Sequence, residues 1–165
     1  MPLAVVERGH PLTFSFDDLL KYHGGGSPGG VAHGFKVMER AWPLLAPDGV
    51  PERRDIRVDT AFGGPGARDA FECVTRALTD GRYVVEPDLA HPELGRARER
   101  FVFHLRYRDR AVKLIVREGF VTDEFVQLAG RDDRSPDEEA MLDRLKQEMA
   151  DRVIAAPADA VYDAA

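Results

Sequence analysis

The chain has 165 residues, a formal charge of −6, an estimated pI near 5.4 and a single cysteine, Cys73. That length suits one domain able to bury a core without disulfides or a structural metal. The acidic balance gives no surface that would collect around phosphate backbones, so nucleic acid is not expected as a partner. One cysteine forms no internal disulfide and no Cys-x-x-Cys pair, which excludes a thiolate zinc or iron-sulfur site and fits a reducing cytoplasm.

The N-terminal run MPLAVVERGHPLTF is interrupted too early by Glu7 and Arg8 to read as a signal peptide, and no apolar run approaches the ~20 residues of a membrane span. It is expected to be irregular. Only four of the 23 basic residues are lysine, a bias that suggests a GC-rich bacterial genome.

Ser15 followed by Asp17 and Asp18 opens a short helix over 16–22 with its dipole complemented. The loop Gly24-Gly25-Gly26 follows. Ser27 then stands before Pro28, a cap and a first helical position, and predicts a helix over 28–45 with Val31, Phe35, Met38, Trp42 and Leu45 on one face and Pro43 ending or distorting its last turn. His33, turned away from Val31 and Phe35, reads as a boundary or interface residue. Residues 54–62 alternate charged and apolar side chains, as a half-buried strand does. Gly63-Gly64-Pro65-Gly66 breaks that strand, and an amphipathic helix is expected over 67–79, through Ala70, Phe71, Val74, Ala77 and Leu78.

A short strand over 82–86 leads into an exposed loop over 87–98, and 100–117 reads as a hairpin turning at Arg108-Asp109. A turn and short helix follow through Phe125 and Leu128. Ser135-Pro136-Asp137-Glu138 is a capping box and predicts a helix to about 154. The tail is broken by Pro157 and lays Val161 and Tyr162 on the body. The order predicts an α+β fold, helices packed on a mostly antiparallel sheet, in one domain over 1–165.

Two glycine segments, 24–30 and 63–66, each feed a helix start. Such a segment offers backbone N–H groups at the positive end of a dipole and can receive a carboxylate, phosphate or oxyanion; it can equally be only a tight turn. The phosphate-loop and dinucleotide fingerprints are absent. His23, just before the glycines, can exchange protons or ligate a metal. Arg68 and Arg82 each offer a fork for a carboxylate, with Arg68 favoured by its place beside the second glycine segment. Residues 119–122, flanked by Glu118 and Asp123, could cover a pocket.

The run Tyr22-His23-Gly24-Gly25-Gly26-Ser27-Pro28-Gly29 resembles the E-type family of formylmethanofuran dehydrogenase subunits, in which an aromatic or apolar residue precedes His-Gly-His, a variable residue, Cys-Pro-Gly and a helix. Asp69-Ala70 and Thr79-Asp80-Gly81-Arg82 resemble a second landmark, an Asp-Ala helix start and a Thr-x-Gly-Lys-like turn, and the tail Ala-Pro-Ala-Asp-x-Val-Tyr resembles a third. The resemblance covers about 16–125 and the tail. It implies an α+β domain like the sheet domain of glyceraldehyde-3-phosphate dehydrogenase, commonly dimeric, with a metal at the histidine loop. Here the second histidine is Gly25 and the cysteine is Ser27, so the softest ligands are missing, with Asp69 the residue expected to face His23.

Three expectations follow from that resemblance. The pocket is kept for a small anionic or carbonyl compound, with His23 and Asp69 as acid-base groups and Gly25, Gly26, Ser27, Gly29, Gly30 and Arg68 binding the ligand. Alternatively the chain is a non-catalytic accessory or metal-binding component of a larger complex. In the third version a divalent metal is held by His23, Asp69 and substrate oxygens, with Cys73, one helical turn beyond Asp69, within reach of the same face.

Overall fold

The computed structural model describes all 165 residues. It begins with a hairpin where an irregular start is expected: β1 (Leu3–Glu7) pairs antiparallel with β2 (His10–Phe14). Arg8 and Gly9 turn with φ of +50° and +84°, positive at both positions as a tight two-residue hairpin demands. Leu3 and Val5 are buried on alternate positions of β1.

The helix α1 (Phe16–His23) is closed at its start by a full capping box, Ser15 and Asp18 each accepting the other's backbone N–H. Gly24 ends it at φ +91°, a conformation that glycine adopts without strain. Next comes α2 (Pro28–Leu45), which runs through Pro43 to Leu45 and is buried along most of its length. The strand β3 (Ile56–Thr60) leads through Gly63-Gly64 into α3 (Pro65–Thr75). This helix stops four residues before the expected Thr79, because Arg76 takes the left-handed conformation; Leu78 lies beyond it, exposed.

After β4 (Tyr83–Val85) the segment 87–98 contains only single helical turns, and β5 (Val102–Tyr107) and β6 (Arg110–Val116) form the expected hairpin. Then come α4 (Asp123–Ala129), α5 (Pro136–Ala155) with its capping box, the single turn α6 (Ala158–Val161) and β7 (Tyr162–Ala164). The second sheet has the order β4-β3-β5-β6-β7, with β3 and β4 parallel and the remaining pairs antiparallel. The fold is therefore α+β, with a mixed sheet rather than a purely antiparallel one.

The helices α2 and α3 cover the face of the sheet formed by Ile56, Val58, Phe103, Leu105 and Leu114, and these side chains make the core. His33 is corrected by the structure. It is wholly enclosed, its ring 4.7 Å from that of Phe101, and its Nδ1 lies 2.8 Å from the Tyr162 hydroxyl while Nε2 has no hydrogen-bond partner. No helix is long and apolar enough to cross a membrane.

What brings α2 and α3 together is the absence of side chains. A Cβ on Gly30 would lie 3.1 Å from the Gly66 Cα, and one on Gly34 would lie 2.8 Å from the Ala70 Cβ. Small residues at one turn's spacing let the two backbones touch, and the starts of both helices are thereby placed side by side.

Candidate functional site

His23 is the last residue of α1, and its ring is nearly buried. Its Nε2 accepts the Ser27 backbone N–H at 2.9 Å, so the ring proton sits on Nδ1, which donates to Asp69 Oδ2 at 2.8 Å. Both nitrogens are thus engaged. The Asp69 carboxylate also accepts Arg68 Nε at 3.1 Å. Burial pushes the Asp69 carboxyl upward, but the hydrogen bonds from His23 and Arg68, with the charge of Arg68, outweigh it and hold it below the usual carboxylate range. The arrangement ties the end of α1, the glycine loop and α3 into one clamp.

Beside this clamp, and sharing Ser27 with it, is a cavity of about 520 Å³. Ser27 and Gly30 reach it from the start of α2, and Gly64, Pro65 and Gly66 from the start of α3. The first-turn N–H groups of both helices have no intrahelical acceptors, and neither Ser27 nor Gly64 supplies a side-chain cap. Two positive helix ends therefore border one space.

The rest of the wall is apolar with a basic rim. Phe62 and Phe101 come from the sheet side, Phe125 and Val126 from α4, Leu142 and Met149 from α5. Four cations and one acid, Glu99, also line it. Two of the cations are committed: Lys146 donates to the Gly26 carbonyl at 3.0 Å, and Arg134 binds Glu139 and the carbonyls that end α4. Arg96 and Arg100 are exposed and make no hydrogen bond or ion pair within the chain. Between them in sequence, Arg98 donates twice to the Val116 carbonyl, at 3.2 and 2.9 Å, and pins this segment to β6.

A wider depression of about 600 Å³ lies between α2 and the 155–159 turn. Within it Lys36 and the N-terminal amine both meet Glu39, and Arg40 donates to the Tyr162 carbonyl. It is the more open of the two.

Of the residues singled out from the sequence, Ser27 and Gly30 line the cavity. His23 and Asp69 are brought together, 46 positions apart, but face each other in the clamp rather than the cavity. Gly25 and Gly26 lie in the loop away from it, and Gly29 packs on α5, where a Cβ would come 3.0 Å from Met149 Cε. Arg68 is spent on Asp69, and Arg82 on the carbonyls of Thr75, Arg53 and Ile56 and on Asp80. Cys73 is half-buried, and burial pushes its thiol up. No three His, Cys, Asp or Glu side chains come together so as to hold a metal ion, so His23, Asp69 and Cys73 do not make a donor set.

Arg96 and Arg100, on the cavity's rim, have no periodic signal, whereas Phe62 closes the alternating run over 54–62. Arg96-Ala97-Arg98-Glu99-Arg100 is a dense basic run in a stretch that otherwise reads as solvated loop, and that density is the one clue the sequence offers. No protein-family model matches this chain, and no curated protein matches it significantly.

Proposed function

We propose that this chain binds a small anionic compound in the cavity between the starts of α2 and α3. The observation that carries the reading is the pair Arg96 and Arg100, unpaired within the chain, on the rim of a largely apolar pocket that two uncapped helix ends also border. Pockets of this size with a few convergent polar groups are the usual form of a small-molecule site, and arginine is the side chain best suited to grip a carboxylate or phosphate.

His23 is assigned to bracing the loop in place of proton transfer, because both ring nitrogens are already hydrogen-bonded. The reading extends the resemblance to the formylmethanofuran dehydrogenase family: the loop that would present metal ligands there keeps only His23 here, turned onto Asp69. Under this reading the protein works in the cytoplasm as a homodimer and handles small-molecule metabolites.

Calorimetric titration with acetate, hexanoate, benzoate and inorganic phosphate tests it. At least one of these anions should bind the native chain, with affinity falling ten-fold or more in the Arg96→Ala/Arg100→Ala double variant. Equal binding by the folded double variant, or no binding of any anion to the native chain, contradicts the proposal.

A further inference from the structure

The cavity's aromatic lining narrows the ligand class beyond its charge; this inference rests on the anion-binding reading. We propose that the bound anion is an aromatic acid, an aryl carboxylate or aryl phosphate, whose ring lies against Phe62 and Phe125 while Arg96 and Arg100 meet its charged group.

Phe62 is the outermost member of an aromatic array. Its ring lies 4.3 Å from that of Phe101 at an interplanar angle of 30°, and 6.4 Å from that of Phe103, which in turn contacts Phe71 and Tyr162. Phe101 and Phe103 are buried, whereas Phe62 is only partly so and borders the cavity. The array of tilted and edge-on rings therefore ends at the pocket wall, where one more ring would extend it.

The backbone that carries the end ring is held in place. The Phe62 N–H is accepted by Thr60 Oγ1 at 3.0 Å, and that hydroxyl donates to the Val102 carbonyl at 2.7 Å. Gly64 leaves the space the ring occupies, since a Cβ there would overlap it. On the other side, Phe125 is supplied by α4, a helix with no buried residue of its own, and packs as a partly exposed ring against the core. Aromatic faces on two walls of the cavity suit a flat guest. Aromatic pairs gain beyond the area they bury, and a guanidinium on the rim can engage both the charged group and the ring face.

Titration of the full chain with benzoate, phenyl phosphate, cyclohexanecarboxylate, inorganic phosphate and benzylamine tests this. Benzoate should bind at least five-fold more tightly than cyclohexanecarboxylate, which has the same charge and similar bulk. That ratio should fall to within two-fold in Phe62→Leu and in Phe125→Leu, with cyclohexanecarboxylate affinity little changed. Cyclohexanecarboxylate binding as well as benzoate, or a ratio that survives both substitutions, overturns the aromatic inference and leaves the anion reading standing. If benzylamine binds best, or if no acid binds at all, both fall together.

Discussion

Gly30 and Gly66 meet backbone to backbone. A Cβ on Gly66 would lie 2.5 Å from the Ser27 carbonyl oxygen, 2.7 Å from the Val31 nitrogen and 2.9 Å from the Gly30 carbonyl carbon. Every one of these neighbours is main chain, so nothing can swing aside, and the crossing that sets two helix starts on one cavity depends on this contact. Gly66→Ala should destabilise the protein by about 2 kcal/mol or more, the cost of overpacking a close contact. Gly25→Ala, where a Cβ meets nothing within 4 Å, should stay within about 0.5 kcal/mol of the parent. Urea denaturation of the two variants checks the contrast.

The clamp of His23, Asp69 and Ser27 makes a second prediction. Removing His23 leaves the Ser27 N–H without its acceptor, so in His23→Ala amide exchange at Ser27 should speed up markedly. Anion affinity should fall less than three-fold, because the ring does not line the cavity. Asp69→Ala should cost about 1–3 kcal/mol by stranding the His23 donor. Its folded-state pKa lies below the unfolded value, so Asp69 contributes stability above the ordinary carboxylate range, and that contribution is lost as pH falls through the lowered value. Acid unfolding followed by circular dichroism should therefore show a shallower low-pH limb in Asp69→Ala.

His33 supplies a different pH dependence. Burial lowers its pKa from 6.5 to about 3, so the folded protein keeps the ring neutral while the unfolded chain takes up a proton below pH 6.5. Between those values the unfolded state binds one more proton at this site. Stability should rise with pH across the window, by about 1.4 kcal/mol per pH unit at most from this residue, and level off above it. Denaturant melts between pH 4 and 7 should show that slope in the native chain and a flatter one in His33→Gln.

Gly64 offers a test that separates cavity shape from fold. An alanine there would strike the far edge of the Phe62 ring, which can rotate, so the ring rather than the backbone should give way. Gly64→Ala should lose about 1 kcal/mol of stability, in line with an off-rotamer side chain. Anion affinity should fall at least five-fold as the ring is pushed toward the guest's place. Paired denaturation and calorimetry check it.

Much of the fold can be read from local sequence. Ser27-Pro28 and Ser135-Pro136 announce their helices through cap and first-position chemistry, and the alternation of Ile56, Val58 and Thr60 announces a strand. The hairpin β1–β2 is hidden although Leu3 and Val5 alternate, because its turn is made by Arg8, a residue that seldom takes positive φ. The strand β7 is hidden because three residues carry no period of their own; only pairing with Leu114 and Val116 makes Tyr162–Ala164 a strand. His33 departs from its boundary reading for a related reason. Its angle on α2 points away from the helix's apolar stripe, but α2 is covered on several sides and the far tail closes over it with Tyr162.

The site is legible to the same degree. The convergence of two glycine segments follows from Gly30, Gly34 and Gly66, all visible in the sequence, and the pairing of His23 with Asp69 is suggested by the resemblance. The cationic rim is not, because the segment that carries Arg96 and Arg100 is anchored by Arg98 on the Val116 carbonyl, a contact between residues 18 positions apart.

Backbone amide NMR during titration with benzoate tests the central claim most directly, since it reads which N–H groups sense the guest. The account predicts that Gly30, Gly66 and Ala67 shift together with the amides of Phe62, Arg96 and Arg100, along one saturating curve. Shifts confined to the depression around Lys36 and Asp159, or none near Gly30 and Gly66 at saturation, would contradict it.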